Sequence, residues 1–211
     1  MDVYADPMLN VKDAARYLAI PESTLGRWKG TGAIHSVAPT RKGWPQLPFA
    51  AVVEAFVLQR LRQFGIPAKQ IRETAEGLRR HFGDPYALAR PGLGVHGKDV
   101  LVEVAGDYYR GKDLQQAAAE TITGFQQVIT WDADENPRRL RLMNLGADVI
   151  LDPRFGWGAP VVEANKVPIE SIVGQFRGGD TIADIAYDFE MNVGDVEQII
   201  RGYLDSGERA A

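Results

Sequence analysis

The tightest constraint on this chain is a short apolar repeat that ends at a proline. After Asn10, the residues Val11, Ala14, Ala15 and Leu18 recur at the spacing of one helix face, and Asn10 with Asp13 resembles a capping box. Pro21 stops that helix. Glu22, Ser23 and Thr24 then offer oxygen caps for a second short helix through Lys29, with Leu25 and Trp28 facing inward and Gly30 and Gly32 allowing the exit. Two short helices joined by a tight turn can set the start of the second in a major groove, where Ser23, Thr24, Arg27 and Lys29 meet phosphates or base edges. The alternative is a helical protein-interaction domain whose Arg27 and Lys29 are simply solvated.

Charge supports the first reading. Residues 1–83 hold 12 Lys and Arg against 7 Asp and Glu, while residues 84–211 hold 12 against 21. A positive region attracts polyanions through counterion release, whereas a negative one repels them and favours basic protein surfaces. The 211 residues, 45% apolar and 25% charged, have ordinary globular composition, which excludes disordered and collagen-like chains. With no cysteine, disulfide frameworks, thiolate zinc sites and a cysteine nucleophile are excluded, and a reducing compartment, the cytoplasm, is expected. The acidic start has no basic segment followed by an apolar stretch, so no secretory signal is expected, and the apolar run from Phe49 to Leu58 is broken by Glu54, so none spans a membrane.

The segment from Leu9 through Trp28 resembles the start of the MerR-type winged-helix regulators. The match continues through Gly32-Ala33-Ile34 into a polar stretch with Arg41, Lys42, Gly43 and Trp44, where that family has its wing. The resemblance implies that Arg41 and Lys42 contact phosphates. Leu61 to Arg72, interrupted by Gly65-Ile66-Pro67, is similar to the family's next pair of helices, with Phe49, Val52, Val53, Phe56, Val57 and Leu61 facing the core. Unlike that family's long terminal dimerisation helix, this one is stopped early by Gly83-Asp84-Pro85.

Between Pro85 and Met143 lie short β-like runs, Val100 to Val104, Val128 to Trp131 and Arg138 to Met143. Gly92, Gly94 and Gly97 have dinucleotide-loop spacing, but a strand-like run follows where a helix would have to begin, so a hairpin is expected. Asp132, Asp134 and Asn136 copy the first ligands of a calcium loop, yet Pro137 and Met143 occupy the glycine and glutamate positions, so another hairpin turn is expected. His35, His81 and His96 lack metal-ligand spacing, and the carboxylates are dispersed. No catalytic residue, metal or cofactor is nominated. A hydrolase using the acidic half would require convergent carboxylates in a pocket.

Beyond Gly146, a strand at Val149-Ile150-Leu151 leads to Asp152-Pro153-Arg154-Phe155-Gly156, and three amphipathic helices follow. Their inward positions include Ile169, Ile172, Val173, then Ile182, Ile185, then Val196, Ile199, Ile200 and Tyr203. The trio is helix-turn-helix-like, but Asp195 and Glu197 on its last helix oppose groove entry, so a protein-facing role is expected. Asp152-Pro153 through Gly156, Pro160, Val167-Pro168, Gly179, Ile185-Ala186 and Val196 resemble the antitoxin-associated domain-of-unknown-function family 433. Ala164-Asn165-Lys166 stands where that family usually has Gly-Thr-Arg.

Together the segments look like a VapB-type antitoxin. The expected architecture is mainly α with a small β component: a winged helix-turn-helix over 1–83, a short β-rich connector over 84–145 and a C-terminal three-helix HTH-like domain over 146–211. The resemblance implies a PIN-like ribonuclease toxin as partner, bound and inhibited, and operator double-stranded DNA at the pair's own promoter; inhibition by occlusion of the cleft is expected, and so is a homodimer, which would double the DNA contacts and match a palindromic site. Phe155, Trp157, Val161 and Phe176 are the expected apolar anchors for the partner. The competing reading is a stand-alone MerR-like transcriptional regulator whose C-terminal module dimerises or binds a small ligand.

Overall fold

The computed structural model describes residues 2, 6–39, 41–116, 123–124, 126–146 and 148–210. Strand β1 (Pro7–Leu9) leads into helix α1 (Val11–Leu18), whose first turn is closed by Asn10. The Asn10 Oδ1 accepts the Asp13 backbone N–H at 2.8 Å while Asn10 Nδ2 donates to the Asp13 carboxylate at 2.8 Å. Ala19 then turns the chain at φ 52°, with its N–H satisfied by carbonyls of the last helical turn.

Helix α2 (Glu22–Gly30) has Pro21 at its N-cap and no side-chain cap. The expected capping by Glu22, Ser23 and Thr24 is therefore corrected: these residues form the first turn itself. Pro21 is extended, φ −55° and ψ 132°, and its carbonyl already accepts the N–H groups of Thr24 and Leu25, which leaves no capping place for the residues that follow.

The short strand β2 (Leu47–Pro48) pairs antiparallel with β1 and runs directly into α3 (Phe49–Gln63). Eleven residues of α3 are buried, Phe49 through Leu58 and Leu61, so its first ten residues are covered all round, as in a central core helix. Gly65, at φ 80°, makes the turn that the Gly65-Ile66-Pro67 step announces, and α4 (Ala68–Phe82) ends at Gly83 in the left-handed conformation.

Two four-stranded sheets follow. The first consists of β3 (Leu93–His96), β4 (Asp99–Val104), β5 (Asp107–Arg110) and β6 (Thr123–Gly124), in the order β5-β4-β3-β6. The glycine-rich stretch 92–97 thus lies in and beside a hairpin strand, antiparallel to β4, with no helix at its end. The second sheet has the order β10-β9-β8-β7, built from β7 (Ile129–Trp131), β8 (Pro137–Arg141), β9 (Val149–Leu151) and β10 (Val161–Val162). Its first turn is closed by Asp132, whose Oδ1 accepts the N–H groups of Asp134 and Asn136, both at 3.0 Å, so these carboxylate and amide groups serve a hairpin. This sheet takes two strands from each side of Gly146, with Leu140 opposite Leu151.

Helices α5 (Ile169–Gly178), α6 (Ile182–Asp188) and α7 (Val193–Ala210) complete the chain. A single apolar cluster runs from Met8 through α3, both large sheets and α7 to Tyr203. The fold is thus mixed: helices with β structure in small sheets. Among the described residues, no helix is long and apolar enough to cross a membrane.

Candidate functional site

The cations singled out near the N-terminus lie on two connected elements. On α2, Ser23 and Arg27 are exposed and Thr24 and Lys29 are half-buried. Lys29 Nζ donates to Gln46 Oε1 at 2.8 Å, while the Gln46 N–H reaches the Leu9 carbonyl and its own carbonyl accepts the Val37 N–H, both at 3.0 Å. These bonds pin the end of α2 to the base of a loop whose outer turn exposes Arg41, Lys42 and Trp44. The Arg41 guanidinium sits 5.4 Å from the centre of the Trp44 ring. The described residues of this loop form no strand between Ile34 and Leu47. Pro39 and Pro45 have no N–H to give a ladder, so the polar stretch is an open loop rather than a two-stranded wing.

Behind α2 is a groove of about 660 Å³ lined by Thr24, Arg27, Trp28, Leu58, Arg62 and Arg72, among others, with no carboxylate in its wall. Arg62 and Arg72 were not singled out from sequence, because they lie on different helices and meet Arg27 only in the fold. Trp28 packs against the core.

The segment after α2 is held by a carboxylate that sequence reading treated only as an interruption of an apolar run. Glu54 is fully buried and accepts the N–H groups of His35 at 3.1 Å and Leu88 at 3.4 Å, with Arg79 Nη2 at 3.3 Å. Burial pushes its carboxyl up to about 7, against the opposing pull of the Arg79 charge. His35 meets the Tyr86 ring edge-on at 5.0 Å, and His81 meets Phe82 similarly, so both histidines are engaged with aromatic rings. Among the described residues, no group of three or more His, Asp or Glu is placed to hold a metal.

The two ends of the chain meet at α1 and α7. Arg16 Nη1 donates to the Tyr203 hydroxyl at 2.9 Å, and the Arg16 and Arg177 guanidinium groups lie 5.2 and 5.6 Å from the Tyr203 ring centre. The Tyr17 hydroxyl donates to Glu170 Oε1 at 2.6 Å. Asn144 Nδ2 reaches both the Tyr17 carbonyl, at 3.1 Å, and Ser206 Oγ, at 3.0 Å. Gly202 lies flush against this junction: a Cβ there would stand 2.6 Å from the Asn144 carbonyl oxygen.

The four apolar anchors expected in the acidic segment separate. Trp157 is 97% exposed and Phe176 37%, and Phe155 is half-buried. Val161, in contrast, is fully buried in β10 opposite Ile150, so its assignment as an anchor is corrected: its side chain is spent on the sheet core. The residue missed here is Asp152. It is fully buried and receives Arg154 through a forked pair, Nε to Oδ1 at 2.9 Å and Nη2 to Oδ2 at 2.6 Å. Burial raises its carboxyl, but the hydrogen bonds and charge of Arg154, with Arg139 at 3.6 Å, outweigh that effect and hold it below the ordinary carboxylate range. In the sequence it stands out only as the first residue of the Asp152-Pro153 to Gly156 stretch that carries the resemblance to family 433; nothing there marks its burial or its pairing with Arg154.

No family model matches the chain. A solved crystal structure of Rv2018 from Mycobacterium tuberculosis superimposes with a TM-score of 0.71 at 25% identity, covering 96% of this chain and 99% of that one. A curated protein of Mycobacterium tuberculosis strain H37Rv, carrying the name antitoxin VapB45, is 31% identical over 87% of this chain and 88% of its own length. At that identity and that coverage of both chains, the protein belongs to the family of toxin–antitoxin antitoxins that includes VapB45.

Proposed function

We propose that the protein is the antitoxin of a type II pair: it binds and neutralises a PIN-like ribonuclease toxin, and it binds operator double-stranded DNA as a homodimer for autoregulation. It works in the cytoplasm, without catalysis or cofactor of its own. The observation that carries the toxin half is the antitoxin relative aligned over 87% of the chain. The DNA half is supported by the cations of α2 and of the 35–46 loop, tied into one unit through Lys29 and Gln46. Such a pair of elements supplies phosphate contacts from two directions, with Ser23, Thr24, Arg27 and Lys29 on the helix and Arg41 and Lys42 on the loop. The partner-facing residues are Phe155, Trp157 and Phe176.

Co-expression with the product of the adjacent gene, which this reading expects to be a PIN-like nuclease, tests it. The two chains are expected to co-purify, with RNA cleavage by the nuclease suppressed. Recovery of each chain alone, with cleavage unchanged when they are mixed, overturns it.

A further inference from the structure

Trp157 is nearly all in water, yet its backbone is firmly placed. It is the middle residue of the one-turn segment Gly156–Gly158 and has φ 52° and ψ 31°, a left-handed conformation that a bulky L-residue avoids. Its neighbours enforce this. Gly156 and Gly158 have φ of 62° and 94°. A Cβ on Gly156 would come within 2.8 Å of the Val161 side chain, and one on Gly158 within 2.3 Å of Met8. The turn is therefore pressed against β10 on one side and β1 on the other.

The segment entering the turn is equally fixed. The Asp152 side chain takes the Arg154 N–H at 3.0 Å as well as its guanidinium, and the Asp152 carbonyl takes the Phe155 N–H at 3.0 Å. On the far side, the Ala159 N–H returns to the Gly156 carbonyl at 2.8 Å. Strained conformations persist where the surroundings over-determine them, and they gather at sites of recognition. The fold gains almost no burial from this indole, since 97% of it remains exposed. Tryptophan is among the residues in which the energetic anchors of protein interfaces are enriched, and a rigid support spares the entropy of ordering it on binding.

The surroundings also specify the partner's chemistry. Residues 148–211 contain only 5 Lys and Arg against 12 Asp and Glu. Two of those five, Arg154 and Lys166, lie over the ring of Phe155, at 5.2 and 5.1 Å from its centre. Arg154 is matched by the Asp152 carboxylate, so the positive charge left over the Phe155 ring is that of Lys166; close in the chain to an exposed indole and set in an otherwise acidic segment, it matches a protein surface with a carboxylate beside an apolar hollow. The surrounding negative charge disfavours a nucleic acid.

We propose that the Asp152–Gly158 turn is a preformed knob that seats Trp157 in an apolar socket of the toxin, with a carboxylate on the socket's rim facing Lys166. Asp152 is its positioning residue. This rests on the antitoxin reading, which already counts Trp157 among the partner-facing residues, and it adds the rigid turn that presents the indole and the chemistry of the surface that receives it.

The test uses the full chain and the purified product of the adjacent gene, the nuclease that the antitoxin reading expects there. Trp157→Ala is expected to keep the wild-type melting temperature and to weaken the complex by about 30-fold or more, as an anchor residue does. Trp157→Phe supplies the reference for a difference emission spectrum, in which the Trp157 signal is expected to move to shorter wavelength on complex formation. Lys166→Glu is expected to weaken the complex and reduce its salt sensitivity. Asp152→Asn is expected to weaken it without altering operator affinity. If the wild-type chain forms the complex but Trp157→Ala binds equally well and the difference emission does not move, the knob is wrong and the antitoxin reading stands. If the wild-type chain itself forms no complex, both are overturned. A Trp157→Ala defect confined to operator DNA also overturns the knob.

Discussion

The carboxylate of Glu54 on α3 stands 3.3 Å from the guanidinium of Arg79 on α4, and the two together hold the segment that follows α2. Arg79 also donates to the carbonyls of Gly32, at 2.8 Å, Ala33, at 3.1 Å, and Pro85, at 2.9 Å, so one side chain ties two backbone segments to the Glu54 carboxylate. Arg79→Ala removes the counter-charge, so Glu54 takes up a proton, and it leaves the carbonyls of Gly32, Ala33 and Pro85 without their donor; a loss of about 2–3 kcal/mol in unfolding free energy is expected in urea titrations. A loss no larger than that of an exposed arginine would contradict this arrangement.

Stability should also depend on pH through Glu54. Its carboxyl rises from 4.5 to about 7 on folding, so between these values the folded state holds more protons than the unfolded chain. Stability therefore falls as pH rises through this window, by about 2–3 kcal/mol between roughly pH 5 and pH 8. Glu54→Gln is expected to remove that slope. The depressed carboxyls of Asp132 and Asp152 act in the opposite sense and lower down, losing their contribution in acid, outside this window. Parallel pH profiles for the wild type and Glu54→Gln would refute the assignment.

Operator binding should lose both strength and salt dependence when the α2 and loop cations are removed. For each phosphate that Arg27→Ala or Arg41→Ala leaves without its cation, the slope of log K against log salt should shrink by about 1. Arg201, on α7, is paired with Glu197 at 2.6 Å, and Arg201→Ala serves as the control expected to leave the slope unchanged. Fluorescence anisotropy over a salt series measures all three.

The contact between Tyr17 and Glu170 joins the first helix to α5. Burial first, and Glu170 second, raise the Tyr17 phenol well above its ordinary range, which keeps it a donor. Tyr17→Phe is expected to lower stability by about 1–2 kcal/mol. Combined with Glu170→Ala, which removes the accepting oxygen, in a double-mutant cycle, it should show a coupling of about 1 kcal/mol, whereas additivity within about 0.3 kcal/mol would mean that the bond contributes nothing.

Two helical glycines should respond oppositely to a methyl group. At Gly202 it would meet the Asn144 carbonyl oxygen at 2.6 Å and Leu145 backbone at 2.8 Å, so Gly202→Ala is expected to cost about 1–3 kcal/mol. Gly174, on α5, has open space around it, and Gly174→Ala should stabilise by about 0.4–1 kcal/mol. Thermal melts of the two variants distinguish them by sign.

Local patterns were the most legible part of this molecule. The repeat from Val11 to Leu18, the capping role of Asn10, the break at Pro21 and the stop at Gly83 could be read directly, because each acts within a few residues. The pairing of β8 with β9 was not readable, since a strand edge carries no mark of which other edge it will meet. Val161 and Trp157 illustrate a second limit: both are apolar, and only the register of β10 against β9 turns one inward while the turn holds the other out. Asp152 and Glu54 were missed as sites for a third reason. Carboxylates belong to the surface by default, and the arginines that let these two be buried come from a neighbouring turn and a different helix.

The sheet shared across Gly146 sets how the molecule can be taken apart. Severing the chain in the loop between Arg141 and Val149 would not by itself release two stable pieces, because β8 and β9 would each have to give up a paired edge to separate. Each fragment would then present bare N–H and C=O groups, the surface from which strands aggregate. Dissection by truncation should therefore yield inclusion bodies, and point substitutions in the intact chain are the route by which its two faces can be weighed independently.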